Sequence, residues 1–270
     1  MAITPDRPIG IFDSGIGGLT VAHAIKKLLP NEQIIYFGDT AHLPYGDKSE
    51  AAIQAYSVRI ADALLKRGCK VIVIACNSAS SAAYELLKEY VRGIKIINVI
   101  DPMIHWVTSH FQNARIGLIG TKRTVQSGVY VRKIAEANQK IMVRQLPTPL
   151  LAPMIEEGFF NNQISHEIIA QYLSSPELEG IEGLILACTH YPLIRNEITR
   201  YYENRPATIL DSAEVVARAV QEYLQLSGLL NSTGPEPDQF LVSDYTDSFE
   251  ASTRLFFGEQ VHLEAYPLWN

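Results

Sequence analysis

Val71-Ile-Val-Ile-Ala-Cys76-Asn77-Ser78 and Gly183-Leu-Ile-Leu-Ala-Cys188-Thr189-His190 are two versions of one phrase, their cysteines 112 residues apart. Each is a short apolar run that ends in Ala-Cys and opens onto small polar residues. A run of this length with such punctuation reads as a parallel strand, buried on both faces, that feeds a loop or helix. Both thiols therefore lie at the carboxyl ends of strands, where open α/β sheets build their ligand sites. Two matched thiols facing one ligand supply an acid and a base on opposite sides of one atom, which points to proton exchange of the racemising kind.

The repetition extends outward from the cysteines. Ile9-Gly-Ile-Phe-Asp13-Ser14 parallels Ile116-Gly-Leu-Ile-Gly120-Thr121, and each precedes its cysteine by a similar span, 63 residues from Asp13 and 68 from Gly120. Repeats this long are not solenoid units and predict two related α/β lobes. Strand and helix patterns alternate through both, which favours parallel sheets covered by helices. The expected fold is two pseudo-symmetric parallel-sheet α/β lobes with the active site in the cleft between them. The first lobe is expected over 1–98 plus 208–270 and the second over 99–207, with hinges near 98–101 and 206–211 and a boundary marked by Asp101-Pro102. Helices are predicted over Leu19–Leu29, Ser49–Lys66, Ala79–Tyr90 (capped by Ser78 or Ser80) and Val125–Ala137, among others.

Composition narrows the function classes. The chain has 270 residues, 47% of them hydrophobic, enough for substantial cores. A formal charge of −6 argues against a nucleic-acid binder. No apolar run approaches the ~20 residues of a membrane helix, and the opening residues lack a signal-peptide pattern. A cytoplasmic location is the expectation. Three cysteines are too few and too odd a number for a disulfide framework. Cys69, without a counterpart in the second half, reads as a packing residue.

Several residues carry possible chemistry. A thiol before a helix amino terminus feels the helix dipole, which favours thiolate. The spacing of Cys76 and Cys188 excludes a zinc ribbon or a Cys-x-x-Cys redox pair. Asp13-Ser-Gly-Ile-Gly-Gly18 offers backbone amides to an anion but has neither the P-loop lysine nor the Gly-x-Gly-x-x-Gly spacing. Asp13 could bind an ammonium or orient a thiol, or merely cap a turn. Pro44-Tyr45-Gly46 by itself is a tight turn. His190 lies near enough in sequence to tune Cys188 or to serve as a packing residue, and Glu156 by pattern alone is an exposed helix residue.

Taken in order, Asp13-Ser-Gly-Ile-Gly-Gly-Leu19, Pro44-Tyr45-Gly46 with Lys48-Ser49, Ala75-Cys76-Asn77, Gly120-Thr121 and Ala187-Cys-Thr-His-Tyr-Pro192 closely resemble the glutamate racemases, with Val242-Ser-Asp244 and Pro267-Leu-Trp269 also similar. The resemblance covers most of the chain. It implies a cofactor-independent, metal-free isomerase that interconverts L- and D-glutamate and supplies D-glutamate for peptidoglycan, expected as a homodimer. It further implies that Cys76 serves D-glutamate deprotonation and Cys188 L-glutamate, assisted by Asp13 and His190, with Glu156 near His190. Ser14, Pro44, Tyr45, Gly46, Asn77, Ser78, Thr121, Thr189 and His190, together with Asp13, would form the substrate site. Two departures stand out: Ser78 replaces the usual threonine after Cys-Asn, which keeps the hydroxyl and loses a methyl, and His42 replaces an arginine common before Pro-Tyr-Gly. A racemase of the same superfamily acting on aspartate or a related amino acid, a non-catalytic two-lobe binding protein and a thiol–disulfide protein are the competing readings.

Overall fold

The strands that begin each repeat are apolar at nearly every position because helices cover both of their faces. The structure is a computed structural model and describes residues 3–205, 207–234 and 236–269. Among the described residues ten strands form two all-parallel sheets. They are β1 (Ile9–Asp13), β2 (Ile34–Gly38), β3 (Val71–Ile74), β4 (Lys95–Asn98), β5 (Arg115–Gly120), β6 (Met142–Pro147), β7 (Gly183–Ala187), β8 (Thr208–Asp211), β9 (Gln239–Val242) and β10 (Glu264–Ala265). The first sheet has the order β10-β9-β2-β1-β3-β4 and the second β6-β5-β7-β8. Four consecutive strands of each sheet thus share one order, and β3 and β7 hold equivalent places. The matched cysteine phrases are equivalent strands, so the two-lobe α/β expectation holds.

Alternation along the strands divides the first lobe's apolar residues between two clusters. Ile9, Ile11, Val71 and Val73 face the helix Leu19–Leu28, while Phe12, Ile72 and Ile74 face the helices Glu50–Lys66 and Asn77–Tyr90. The former cluster continues without a break into the second sheet through Ile116, Leu118 and Leu184. The helix Ser212–Leu226 packs against both Leu19–Leu28 and Ile100–His110, so the lobes share one apolar seam behind the strand ends. Among the described residues no helix is long and apolar enough to cross a membrane.

Four expectations are corrected. Strand β8 lies within 208–270 but pairs with β7 in the second sheet. Its short sequence, with only Ile209 and Leu210 buried, gives little periodic signal. Asp101-Pro102 falls inside the first turn of the helix Ile100–His110, whose opening amides at Ile100 and Asp101 donate to Asn98 Oδ1, both at 2.7 Å. The helix expected over Val125–Ala137 is two, Lys122–Gln126 and Val129–Ala137, parted by Gly128 at φ +61°. The helix after β3 begins at Asn77 and is capped by Cys76 itself rather than by Ser78 or Ser80. Position 206 of the expected hinge lies outside the described residues, as do 1, 2, 235 and 270 of the expected first lobe.

Candidate active site

β1 and β3 are neighbours, as are β5 and β7, and their carboxyl ends face each other across the lobes. Between them is a small cleft of about 70 Å³. Its walls include Ser14, Pro44, Tyr45, Gly46, Cys76, Asn77, Ser78, Thr121, Glu156, Cys188, Thr189 and His190, drawn from both lobes. Every site residue expected from the sequence except Asp13 lines it, and Asp13 lies just beneath, fully buried at the end of β1. Beside Gly15 and Ala187, the wall is completed by Leu43, Ala152 and Pro153. These three gave no sequence signal, since an apolar wall residue looks like any other apolar residue.

The two thiols stand in different surroundings. Cys76 Sγ accepts the Ala79 N–H at 3.4 Å at the helix start and lies 3.6 Å from the Ser14 hydroxyl, which it faces. Burial pushes this thiol up to about 12, and the Asp13 charge adds to the rise; the Ala79 amide and Ser14 hydroxyl oppose it, and Cys188 adds to it in turn. The expected thiolate-favouring helix effect is present but is outweighed by burial. Cys188 is followed by a 3-10 turn, Tyr191–Ile194, before the helix Arg195–Tyr201 begins, so the sulfur has no helix amino terminus directly after it. Its partner is His190 instead, with Nδ1 3.6 Å from Sγ.

His190 is held from behind. Its Nε2 is 2.8 Å from Glu156 Oε1, at the end of the helix Leu151–Glu156, and the edge of its ring meets Phe256 at a centroid distance of 5.2 Å. Burial alone would lower the pKa of this imidazole. The Cys188 charge and hydrogen bond, reinforced by Glu156, override burial and push it up to about 10. Cys188, His190 and Glu156 thus form a line of alternating charge whenever the sulfur carries the negative one. Glu156, by helical pattern alone an exposed residue, stands where the family resemblance expects it, beside His190.

On the other side, Asp13 Oδ2 accepts the amides of Gly18 at 2.9 Å and Gly15 at 3.2 Å, while its buried Oδ1 has no hydrogen-bond partner. Burial raises the Asp13 pKa, opposed by the His190 charge and the amides of Gly18, Gly15 and Ser14. The glycine loop is tight for a reason. A Cβ on Gly17 would stand 2.4 Å from His190 Cε1, so this loop presses directly on the second lobe's catalytic candidate.

Hydrogen bonds join the lobes around the cleft. Ser78 Oγ and Thr121 Oγ1 are 2.9 Å apart, Tyr130 donates to Asn77 Oδ1 at 2.8 Å, and Thr20 donates to the Thr189 carbonyl at 3.0 Å. Asn77 Nδ2 is buried without a partner, an unused donor on a residue of the cleft wall. Tyr45 differs from expectation in one respect: its hydroxyl donates to Asp39 Oδ2 at 2.6 Å, which turns its polar end away from the cleft. His42 also engages Asp39, with Nδ1 3.1 Å from both oxygens. Cys69 is buried beside Gly10, and all three cysteines are free.

This geometry has a match among known proteins. A sequence model of the Asp/Glu/Hydantoin racemase family matches residues 17–220. The chain belongs to that family. Within this racemase family, the chain is similar to a glutamate racemase of Chlorobaculum tepidum, with 39% identity over 96% of this chain and 95% of that protein. Its structure is similar to that of a glutamate racemase from Francisella tularensis in complex with D-glutamate, with a TM-score of 0.92, 36% identity, and coverage of 98% and 99% of the two chains. A glutamate racemase from Thermus thermophilus in complex with beta-chloro-D-alanine gives a TM-score of 0.87 and 37% identity, with 97% and 98% covered. All three similarities run through both lobes, and so through both halves of the racemase cleft.

Proposed function

We propose that this chain is a glutamate racemase that exchanges the α-proton of glutamate between two thiols. The observation that carries the proposal is the pair of cysteines at equivalent strand ends, facing one small cleft with different electrostatic partners. Cys188 acts as base toward L-glutamate, and the His190 imidazolium supplies the counter-ion for the charge the sulfur carries. Cys76, held protonated by burial, delivers a proton to the opposite face. For D-glutamate the roles reverse, and Asp13 with its raised pKa takes up and returns the Cys76 proton.

The α-hydrogen of an amino acid is a very weak acid, so the cleft must stabilise charge that builds beside the carboxylate. Preorganised donors in a closed, dry site do this most effectively. Asn77 Nδ2 and the hydroxyls of Ser14, Ser78, Thr121 and Thr189 are the available side-chain donors, supplemented by amides of the Tyr45–Gly46 loop. Closing the cleft through the inter-lobe hydrogen bonds removes water and aligns both sulfurs on one carbon. The reading divides the lobes near 98–99 and after 211, and needs neither metal nor cofactor. It assigns the product D-glutamate to peptidoglycan synthesis in the cytoplasm and the working form to a homodimer.

Optical rotation tests the proposal. Purified protein free of metals and cofactors, given L-glutamate, brings the rotation to zero. Activity on aspartate with none on glutamate would keep the mechanism and move the substrate. Inertness toward both amino acids would leave a two-lobe binding protein.

A further inference from the structure

The loop that carries Pro44-Tyr45-Gly46 forms one wall of the cleft, yet it contains no strand and only a single 3-10 turn, Tyr45–Asp47. Something outside the loop must hold it. Asp39, at the loop's start, is a wholly buried carboxylate, and its donors come from separate parts of the chain. Oδ2 accepts the Tyr45 hydroxyl at 2.6 Å. Oδ1 accepts the Ser243 hydroxyl at 2.7 Å and the Trp269 indole N–H at 2.8 Å, and His42 reaches both oxygens. Hydrogen bonds to both oxygens offset the cost of burying this carboxylate.

Two of these donors lie far away in sequence. Ser243 directly follows β9, and Trp269 lies just beyond β10, the two strands added at one edge of the first sheet and absent from the second. The tail is itself anchored: Tyr266 N donates to the Val242 carbonyl at 2.8 Å, and Arg59 both donates to the Leu268 carbonyl at 2.9 Å and lies 4.9 Å over the Trp269 ring. The Trp269 ring meets His42 edge-on at 4.5 Å and Tyr56 at 5.3 Å, while His42 stacks on Tyr56 at 4.1 Å. At the far end of the loop, a Cβ on Gly46 would stand 3.0 Å from Thr121 Cβ of the facing lobe.

We infer that the carboxyl-terminal segment is a strap, and that Trp269 and Ser243 are positioning residues which fix Asp39 and, through it, the Tyr45–Gly46 wall of the substrate cleft. This rests on the racemase reading of the cleft. Neither residue touches the cleft: Trp269 acts through Asp39 and the His42 ring, and Ser243 through Asp39 and the Ala41 amide, which donates to its hydroxyl at 3.0 Å. A wall that contacts the ligand alike in ground and transition states sets KM rather than kcat.

The test is Trp269→Phe, which keeps a ring and removes the indole N–H. KM for both enantiomers of glutamate rises together by about ten-fold while kcat stays within about two-fold. Amide hydrogen exchange quickens across residues 40–47 while β1 and β3 keep their protection. Unchanged KM with unchanged exchange over 40–47 overturns the inference. So does faster exchange spread evenly over the first sheet, which is what loss of a purely structural contact produces. Should Trp269→Phe fail to fold, Ser243→Ala removes a second Oδ1 donor from a different element, together with the acceptor of the Ala41 amide, and is read by the same two measurements. A wild-type protein inert toward glutamate would remove the racemase reading, and exchange over 40–47 would then decide the strap alone.

Discussion

Cys76 and Cys188 are chemically alike but not electrostatically alike: one thiol is buried beside Asp13, and the other faces an imidazole backed by a carboxylate. Cys76→Ser and Cys188→Ser each leave the fold intact and lower racemisation by about 10²–10⁴-fold, the usual scale of a positioned acid or base; circular dichroism and turnover measured together check this. Glu156→Gln removes the charge behind His190. It lowers kcat by about ten-fold, the scale of a charge-assisted hydrogen bond weakened to a neutral one, and lowers it more from L- than from D-glutamate because Cys188 then lacks a firm counter-ion. The same group makes stability depend on pH. With His190 pushed up to about 10 from an ordinary 6.5, its stabilising contribution is complete below about pH 6.5 and is lost as pH rises through 10. Urea denaturation between pH 6 and 10 shows that fall in the wild type and a flatter curve for His190→Asn; parallel curves would refute it.

Elements explain how much of the fold was legible. Strands with uninterrupted Val, Ile and Leu announced themselves, as did the repeated order around Cys76 and Cys188, because both depend on local pattern. β8 and the division at Gly128 were not legible. A strand of four residues has too few positions for a period, and a glycine at φ +61° breaks a helix that the apolar spacing alone would continue. The cap at Cys76 was missed because serine is the commoner cap, while here the residue at the strand end is already in place. The glycine loop yields a direct prediction. Gly17→Ala inserts a methyl against His190 and Thr189, on the opposite lobe. A misplacement of about 1 Å can cost about 10²-fold in catalysis, so kcat/KM falls by that order. Thermal unfolding shows an overpacking loss of roughly 1–3 kcal/mol.

At the scale of the whole molecule, the site exists only when the lobes meet. The motif residues were legible individually and the family resemblance set Glu156 near His190, but the sequence did not reveal that Tyr130 would bridge to Asn77 or Thr20 to Thr189. Such pairs join residues tens to well over a hundred positions apart, and no local pattern encodes them. Tyr130→Phe leaves the buried Asn77 oxygen without that donor, at a cost of roughly 1–3 kcal/mol to the closed form. KM rises accordingly with the thiols untouched, and initial-rate kinetics check it. The central claim is that two thiols on opposite sides of one carbon exchange its proton. The most direct measurement follows each enantiomer of glutamate in heavy water at early conversion and reads the α-position by mass in recovered substrate and in product. The account predicts deuterium in the product and protium still in the remaining substrate, from either direction. Protium carried from substrate into product would mean a single base serving both faces, and would contradict it.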